Sequence, residues 1–216
     1  MILPLAAAAA GLWAWHKFKG PPTLDVGKFT DPRAQFVAKV VNAAAKPCQA
    51  AGVPLSLAVA QAAVETGWGK AVPGGNLFGL KGRGPAGVVN VPTKEEGKPG
   101  EVKRIRADFR AFTNWAQSVE AWCRYVTAPR NRPPVAGASP GSWLVWYWSQ
   151  GYATAARYPA AVASVSRRAA QLVGRPDLAV ALSPAVAQLA NDLGQLDPKA
   201  RRAKAKALAA AKAWPA

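Results

Sequence analysis

The sequence predicts an α+β fold that is mainly helical, with one small β-hairpin. Apolar residues recur at helical spacing on both sides of residues 82–112, and this period is typical of helices packed on a core. Between Gly82 and Phe112 the period changes, and short valine runs alternate with glycine, proline and charged residues, which predicts a hairpin. A chain of 216 residues is long enough for one well-buried core.

Composition divides the chain into three parts. Residues 1–30 form an apolar N-terminal segment and linker, residues 31–175 a central globular domain, and residues 176–216 a basic helical tail. The formal net charge of +17 favours an anionic setting, such as nucleic acid, another anionic polymer or anionic lipid. A basic solvated surface without a dedicated partner is the alternative interpretation.

The N-terminal segment is apolar and uncharged from Ile2 to Trp15, and His16, Lys17 and Lys19 follow it. About 14 helical residues reach about 21 Å, which is short of the roughly 30 Å hydrocarbon slab of a bilayer. The alternatives are a membrane-inserting or anchoring segment, a signal peptide, and a helix packed on another protein. We expect membrane contact through residues 1–19.

The first two helices of the central domain have clear start and stop signals. Asp31 and Pro32 open the first helix, whose apolar positions follow at helical spacing,. Pro54 opens the second, and glycines at 67 and 69 end it,. The sequence therefore places Glu65 in the last turn of an otherwise apolar helix.

Glu65 is the first candidate catalytic residue. Burial raises the pKa of a carboxyl group, and the negative end of the helix dipole acts in the same direction. A glutamate that stays protonated near neutral pH can give its proton to the leaving oxygen as a glycosidic bond breaks. The alternative is a solvated glutamate at a helix end without a chemical role.

Two linked motifs around Glu65 resemble glycoside hydrolase family 73, the N-acetylglucosaminidases of peptidoglycan. They are QAAVETGWGK and NLFGLKG, in which Thr66 stands where serine is usual. Two later segments, FRAFTNWAQSVEAWCRYV and GYATAARYPAAV, also resemble the family, although Phe112 stands where tyrosine is usual. The resemblance runs from about Asp31 to Val173, which makes residues 31–175 a glucosaminidase-like catalytic domain.

The resemblance implies a lysozyme-like fold, in which a helical lobe and a small β lobe face each other across a sugar-binding groove. It implies peptidoglycan glycan strands as the substrate and Glu65 as the general acid. The residues expected to bind substrate are Trp68, Asn76, Phe78, Tyr152 and Tyr158. The tyrosines match family positions along the cleft, where a hydroxyl can hold the acetamido group or water and a ring can stack on a sugar.

The hairpin is expected to supply a second acid. Either a base for water or a nucleophile would lie ~5 to 9.5 Å from the general acid. The family carries this acid in a Thr-x-Glu motif, which Thr93-Lys94-Glu95 matches best, and Glu96 and Glu101 are close alternatives. In substrate-assisted proposals for the family the acetamido group attacks instead, so Glu95 is the provisional partner of Glu65.

Two further helices are predicted, at Trp115 to Val126 and at Ser142 to Gln150,. The second carries three tryptophans, which at helical spacing are more often core than sugar platforms. The two cysteines, Cys48 and Cys123, form either a disulfide or two buried thiols,. His16 is the single histidine, so the spacing predicts no metal site, and the sequence implies no cofactor.

The tail is predicted to contain two helices, from Ser183-Pro184 through Leu196 and from Asp197-Pro198 onward,. The second is rich in lysine and arginine. Its weakly apolar stripe comprises Ala200, Ala203, Ala207, Ala210 and Trp214. Such a helix can lie on an anionic membrane or contact an anionic polymer, nucleic acid or a virion protein, and a solvated extension is the alternative.

Three functions fit these observations. The first is a peptidoglycan glucosaminidase, either virion-associated and used to breach the cell wall, or an autolysin of the cell envelope. The second is a lytic transglycosylase or muramidase on the same broad scaffold. The third is a basic structural or DNA-associated protein without enzymatic activity.

Overall fold

The structure is a computed structural model that describes residues 23–96, 102–131, 133, 135 and 137–215. The side chains at 94–96, 102 and 103 lie outside the description, as does the predicted membrane-contacting segment at residues 1–19. The described elements are α1 Pro32–Ala51, α2 Leu55–Thr66, β1 Val88–Glu96, β2 Val102–Arg110, α3 Trp115–Val126, α4 Pro140–Ser149, α5 Tyr158–Val173, α6 Pro184–Gly194 and α7 Pro198–Ala210. The mainly helical α+β fold is therefore confirmed.

Short polar residues followed by proline start several helices. The side chain of Asp31 accepts a hydrogen bond from the backbone of Arg33 at the start of α1, and Ser139, Ser183 and Asp197 cap α4, α6 and α7 in the same way. A proline in the first turn loses no hydrogen bond, because the first backbone N–H groups of a helix have no partner within it. These caps fix where the helices begin.

Helix α2 is the central helix of the fold. It packs against α1, α4 and α5, and it is buried from Ser56 to Ala63. Helix α4 is likewise buried from Gly141 to Ser149. The tryptophans Trp143, Trp146 and Trp148 belong to the core, as their helical spacing favoured.

The β-hairpin is a two-stranded antiparallel sheet in which Val88 pairs with Arg110 and Glu96 with Val102. Its base is bound to the loop that follows α2. The backbone N–H of Arg110 donates to the carbonyl of Leu80 at 2.8 Å, and that of Gly82 donates to Asp108 at 2.9 Å. The NLFGLKG motif thus joins the hairpin to the helices.

Helix α5 was missed by the sequence prediction. It begins at Tyr158 after Arg157, whose side chain makes no capping hydrogen bond, so the usual polar start signal is absent. The predicted helix at Ser142 to Gln150 is observed as Pro140–Ser149, and the first tail helix ends at Gly194 instead of Leu196. Within the described ranges, no helix combines the length and apolar character needed to cross a bilayer.

The tail helices pack on α4, and the predicted apolar stripe of α7 is wrong in part. Ala203, Ala207 and Ala210 are exposed, and Ala200 is half-buried. The buried residues of this segment are Arg201, Ala205 and Trp214. Alanine spacing alone could not locate the inward face, because the residue that fixes it is an arginine.

The two cysteines are buried thiols in this structure. The Sγ atoms of Cys48 on α1 and Cys123 on α3 lie 3.9 Å apart, within hydrogen-bond distance for sulfur. The hydrogen bond with Cys123 and burial both raise the pKa of Cys48 well above its ordinary value. The Cys48 thiol therefore stays neutral, and the two buried side chains contribute apolar packing between α1 and α3,.

Candidate active site

Glu65 lies in the last turn of α2, as the sequence predicted. Gly67 ends the helix in the left-handed conformation at φ 58°, and its backbone N–H donates to carbonyls of the last turn. The backbone of Trp68 then donates to Ala63 at 2.9 Å. The sharp helix end carries the chain away, so that the Glu65 side chain reaches solvent.

Two hydrogen bonds connect the carboxylate of Glu65 to the protein interior. The hydroxyl of Tyr158, at the start of α5, donates to Oε1 of Glu65 at 3.1 Å. Nε2 of Gln61 donates to the same hydroxyl at 2.7 Å. Gln61 lies one helical turn before Glu65 and is fully buried. The three side chains form a relay from the core to the carboxyl group.

The environment of Glu65 raises its pKa above the ordinary value. Burial is the main cause, and the hydrogen bond from Tyr158 acts in the opposite direction. The residue as a whole is exposed, while the Tyr158 hydroxyl contacts Oε1 of its carboxyl group and Gly79 lies close to Oε2. The negative potential at the C-terminal end of α2 also disfavours the carboxylate, so it raises the pKa of Glu65 as burial does. The carboxyl group of Glu65 therefore keeps its proton to a higher pH than an ordinary glutamate, and the residue is accessible to a ligand.

All four tyrosines of the chain lie in one cluster beside Glu65. Tyr152 is at its centre, with ring centroids 5.8 Å from Tyr125, 5.2 Å from Tyr147 and 6.0 Å from Tyr158. The hydroxyl of Tyr152 donates to the carbonyl of Phe78 at 3.4 Å. This cluster joins α3, α4 and α5 to the loop after α2.

Tyr147 and Tyr158 both keep their protons over the physiological pH range. Burial raises the pKa of Tyr158 well above its usual value, and the negative charge of Glu65 adds to the effect. Burial, Tyr158 and Glu65 raise the pKa of Tyr147 in the same way. The Tyr147 hydroxyl is buried without a hydrogen-bond partner among the described residues. The phenols therefore act on Glu65 as neutral groups.

Asn76 shapes the loop that faces Glu65. Its Nδ2 donates to the carbonyls of Leu80 and Arg110 at 2.9 and 3.0 Å, and its Oδ1 accepts from the backbone of Phe78 and Leu80 at 3.3 and 3.1 Å. A side-chain amide has two N–H groups and two lone pairs on oxygen, so its capacity is filled. The expected contact of Asn76 with substrate finds no support in this placement.

The ring of Phe78 is buried as well. It stacks on Trp122 of α3 with centroids 4.8 Å apart and planes at 14°, and only 3% of the residue is exposed. Sugar stacking needs an accessible ring face, which Phe78 does not offer. Its backbone carbonyl instead accepts the hydrogen bond from Tyr152.

Gly79 brings the hairpin close to Glu65. A methyl group placed on its α-carbon would lie 4.0 Å from Oε2 of Glu65 and 4.0 Å from Cε1 of Phe109 on β2. The backbone there has φ +60°, a conformation that favours glycine. The catalytic carboxyl candidate therefore lies where the helices, the loop and the hairpin base meet.

Trp68 follows the carboxylate with an unusual backbone. Its φ is 63°, and the left-handed conformation costs a residue other than glycine about 1–2 kcal/mol. The side chain is half-buried and packs on the core. Part of this residue thus stays accessible to solvent, which the expected contact of Trp68 with substrate requires.

The predicted second acids are only partly described. The backbone of Glu95 lies on β1 opposite Lys103, and Glu96 is opposite Val102. The side chains of Glu95 and Glu96 lie outside the description, and Glu101 does so entirely. Glu95 is six residues along the strand from Val89, which pairs with Phe109, and this corresponds to roughly 20 Å.

Sequence reasoning missed Gln61, Tyr125, Tyr147 and Phe109 as parts of this site. Gln61 had a usable signal, because residues four apart lie on the same face of a helix and Gln61 precedes Glu65 by four positions. Tyr147 had none, since it lies among three core tryptophans on α4.

Comparison with known proteins identifies the family of this chain. The family model described as glucosaminidase, mannosyl-glycoprotein endo-beta-N-acetylglucosaminidase, matches residues 41–171. The chain belongs to this glycoside hydrolase family. The match includes α2 with Glu65, the hairpin and all four tyrosines, and it ends before α6 and α7.

A curated relative is similar to more than half of this chain. Peptidoglycan hydrolase FlgJ of Escherichia coli K12 is 33% identical over 132 residues, which cover 57% of this chain and 42% of the relative. The chain thus spans less than half of that curated protein.

Solved structures confirm the lysozyme-like arrangement of the glucosaminidase fold. A peptidoglycan hydrolase mutant from Sphingomonas sp. A1 aligns with a TM-score of 0.57 at 33% identity, over 65% of this chain and 98% of that one. The catalytic domain of the autolysin Auto from Listeria monocytogenes aligns with a TM-score of 0.55 at 18% identity, over 72% of this chain and 99% of that one. The second likeness shows the fold alone.

Replacing Tyr158 by phenylalanine should raise the pKa of Glu65 further. The hydrogen bond from Tyr158 favours the carboxylate and lowers the pKa of Glu65, so its loss favours the protonated form. We expect the Glu65 carboxyl to titrate at higher pH in Tyr158→Phe than in the wild type, as followed by 13C NMR. Tyr125→Phe is the control, because Tyr125 does not hydrogen-bond to Glu65. A downward shift in Tyr158→Phe would contradict the assigned direction.

Replacing Asn76 by alanine should destabilise the protein strongly. The change leaves the backbone groups of Phe78, Leu80 and Arg110 without their partner, and each buried unsatisfied polar group costs ~1–3 kcal/mol. We expect a loss of about 2–4 kcal/mol in the free energy of unfolding, measured by urea denaturation. The exposed Asn90→Ala is the comparison. A loss below about 1 kcal/mol would mean that the loop holds its shape without the amide.

Proposed function

We propose that this glucosaminidase family member is a peptidoglycan hydrolase that cleaves the β-1,4 glycosidic bond after N-acetylglucosamine, with Glu65 as the general acid. The observation that carries the proposal is the Glu65 carboxyl at the end of α2, with a raised pKa and a hydrogen bond from Tyr158. The FlgJ and Sphingomonas relatives, whose names describe peptidoglycan hydrolases, support the substrate class.

The proposed chemistry begins with protonated Glu65. As the glycosidic bond breaks, the carboxyl proton passes to the leaving oxygen and Glu65 becomes a carboxylate. The Tyr158 hydroxyl stabilises that carboxylate through its hydrogen bond, so it lowers the energy of the state after proton transfer. Gln61 holds the hydroxyl in place at 2.7 Å. Burial keeps the proton available before the reaction, and Tyr158 assists its release.

Substrate contacts in the proposal come from the partly accessible rings beside Glu65. Trp68 and Tyr152 are half-buried, and aromatic rings pack well against apolar sugar faces. Asn76 and Phe78 act indirectly, because they fix the loop that carries Gly79 toward Glu65. Tyr158 acts through Glu65.

The proposed site of action is outside the cytoplasm, at the cell wall, either in a virion or in the cell envelope. The relatives named as peptidoglycan hydrolases support a site of action outside the cytoplasm. The net charge of +17 supports contact with anionic polymers of the envelope. Virion association and membrane contact rest on the sequence of residues 1–19 and of the basic tail, and they stay proposals.

Replacing Glu65 by glutamine should abolish wall digestion and leave the fold intact. Loss of a general acid typically lowers kcat by about 10²–10⁴-fold. Because the wild type needs protonated Glu65, its activity should fall as pH rises through the raised pKa of Glu65. The folded state binds this proton more tightly than the unfolded state, so ionisation costs stability as pH rises, and Glu65→Gln should be at least as stable as the wild type at neutral pH.

The measurement is mass spectrometry of muropeptides after reduction of their ends. Reduced N-acetylglucosamine ends identify a glucosaminidase, reduced N-acetylmuramic acid ends a muramidase, and anhydro ends a transglycosylase. Glu120→Gln is the matched control, because Glu120 is an exposed glutamate of α3 beside the C-terminal end of α1. Wild-type digestion by Glu65→Gln would refute the enzymatic proposal.

Glu95 is proposed as the second acid, and this role requires the hairpin to change its shape when substrate binds. Its backbone lies roughly 20 Å along β1 from the residue paired with Phe109, whereas the partner of a general acid lies ~5 to 9.5 Å away. The outer half of the hairpin would therefore have to bend over the glycan. We expect Glu95→Gln to lower kcat by at least about 10²-fold, and Glu96→Gln to lower it little. Equal activity of Glu95→Gln and the wild type would favour attack by the acetamido group of the substrate.

A further inference from the structure

Arg201 of α7 is a buried arginine that binds backbone carbonyls. Only 3% of the residue is exposed. Its Nε donates to Leu193 at 3.2 Å, its Nη2 to Leu196 at 3.3 Å and its Nη1 to Thr154 at 3.3 Å. The guanidinium carbon lies 4.0 Å from the centroid of the Trp148 ring. A cation buried in this way needs all of these contacts, because desolvating an unpaired charge is costly.

The contacts of Arg201 and its neighbour hold the segment that links α4 to α5. Thr154 belongs to this segment, residues 150–157. Nη2 of Arg202 donates to the carbonyl of Gln150 at 2.7 Å, and Nε1 of Trp148 donates to that of Ala155 at 3.0 Å. Three backbone carbonyls of this segment therefore accept hydrogen bonds. Two of the donors are arginines of α7, and the third is Trp148, whose ring contacts Arg201.

The segment 150–157 positions two tyrosines of the cluster beside the candidate acid. Tyr152 lies within it, and Tyr158 follows it and donates to Glu65. Gly151 has φ +97°, and a methyl group at its α-carbon would come 2.4 Å from Nη2 of Arg202. The loop and Arg202 therefore pack closely at Gly151. The backbone conformation of Gly151 is one that other residues rarely adopt.

The other end of the tail is fixed along the same helix. The Trp214 ring meets Trp146 of α4 edge-on, with centroids 4.8 Å apart. Its Nε1 donates to Oγ of Ser142 at 2.9 Å, and that hydroxyl donates to the carbonyl of Pro215 at 2.7 Å. The tail thus spans α4, which carries Tyr147, from its first turn to the loop beyond its end.

We propose that α7 is a clamp for the active site, in which Arg201 is a positioning residue that sets the Tyr152–Tyr158 segment against Glu65. The proposal rests on the proposed role of Glu65. It gives a function to a part of the chain outside the family match at 41–171. Lys204 and Lys206 of α7 are exposed, whereas Arg201 is buried. Contact of α7 with an anionic polymer would therefore use a different face of the helix from the one that holds the segment 150–157.

Replacement of Arg201 by methionine tests the clamp, with Arg201→Lys as the variant that keeps a charge. Lys204→Met is the matched control, because it removes a cation from the exposed face of α7. We expect the 13C-detected titration of Glu65 to move to higher pH in Arg201→Met, in the direction of Tyr158→Phe, and to stay unchanged in Lys204→Met. Lysine should restore the titration only in part, because it lacks the planar fork of donors.

Kinetics on a soluble, uncharged chito-oligosaccharide give the second readout. A misplacement of about 1 Å can cost about 10²-fold in rate, and we expect kcat of Arg201→Met to fall by at least about 10-fold with a smaller change in KM. The double variant with Tyr158→Phe should titrate like Tyr158→Phe alone. If Arg201→Met lowers only the melting temperature and leaves the titration of Glu65 unchanged, the clamp proposal is overturned.

The titration also separates this proposal from the proposed function. If the wild type cleaves no glycan, the proposed function fails, while a shifted Glu65 titration in Arg201→Met would still support positioning by α7. If Arg201→Met does not fold, Arg201→Lys carries the test, and a wild-type titration in a folded Arg201→Lys protein with wild-type kcat counts against the clamp.

Discussion

The hydrogen bond from Tyr158 to Glu65 is the contact on which the rest of the candidate site depends. It joins two residues 93 positions apart, at the end of α2 and at the start of α5. It requires that α2 lies in the centre of the protein, that α5 begins at its first turn beside Glu65, and that the chain between α4 and α5 holds a fixed path. The core places α2, the tyrosine cluster places the start of α5, and the contacts of the tail hold the chain between α4 and α5.

Burial and hydrogen bonding act on the pKa of Glu65 in opposite directions, and the proposed role of Glu65 as general acid depends on the balance between them. Burial alone would hold the proton too firmly, whereas a strongly bonded carboxylate would lose it before substrate arrives. Gln61 contributes to this balance without touching Glu65, because its hydrogen bond makes the Tyr158 hydroxyl a better donor. Helix α2 thus carries both Glu65 and Gln61, the residue that influences the pKa of Glu65 through Tyr158.

Local signals made much of this fold predictable. Helix α3 begins after the cap Asn114 and was predicted with its observed bounds, and Gly67 correctly placed Glu65 in a last turn. Contacts between distant parts of the chain carry no such signal. The start of α5 lacks a cap, and a motif match cannot separate Asn76, which holds a loop, from a residue that touches a ligand. Arg201 looks like any other basic residue of the tail, because the carbonyls that surround it have no signature in sequence.

The gathering of every phenol of the chain beside one carboxylate has a spectroscopic consequence. The nine tryptophans are spread along the sequence from Trp13 to Trp214, so indole emission averages over many environments. Phenolate absorbance, by contrast, can arise only from the four rings around Tyr152. Alkaline difference spectra of the unlabelled protein therefore report on this one neighbourhood. Since burial raises the pKa of Tyr147, Tyr152 and Tyr158 well above the ordinary value, their ionisation at high pH signals that the cluster has opened.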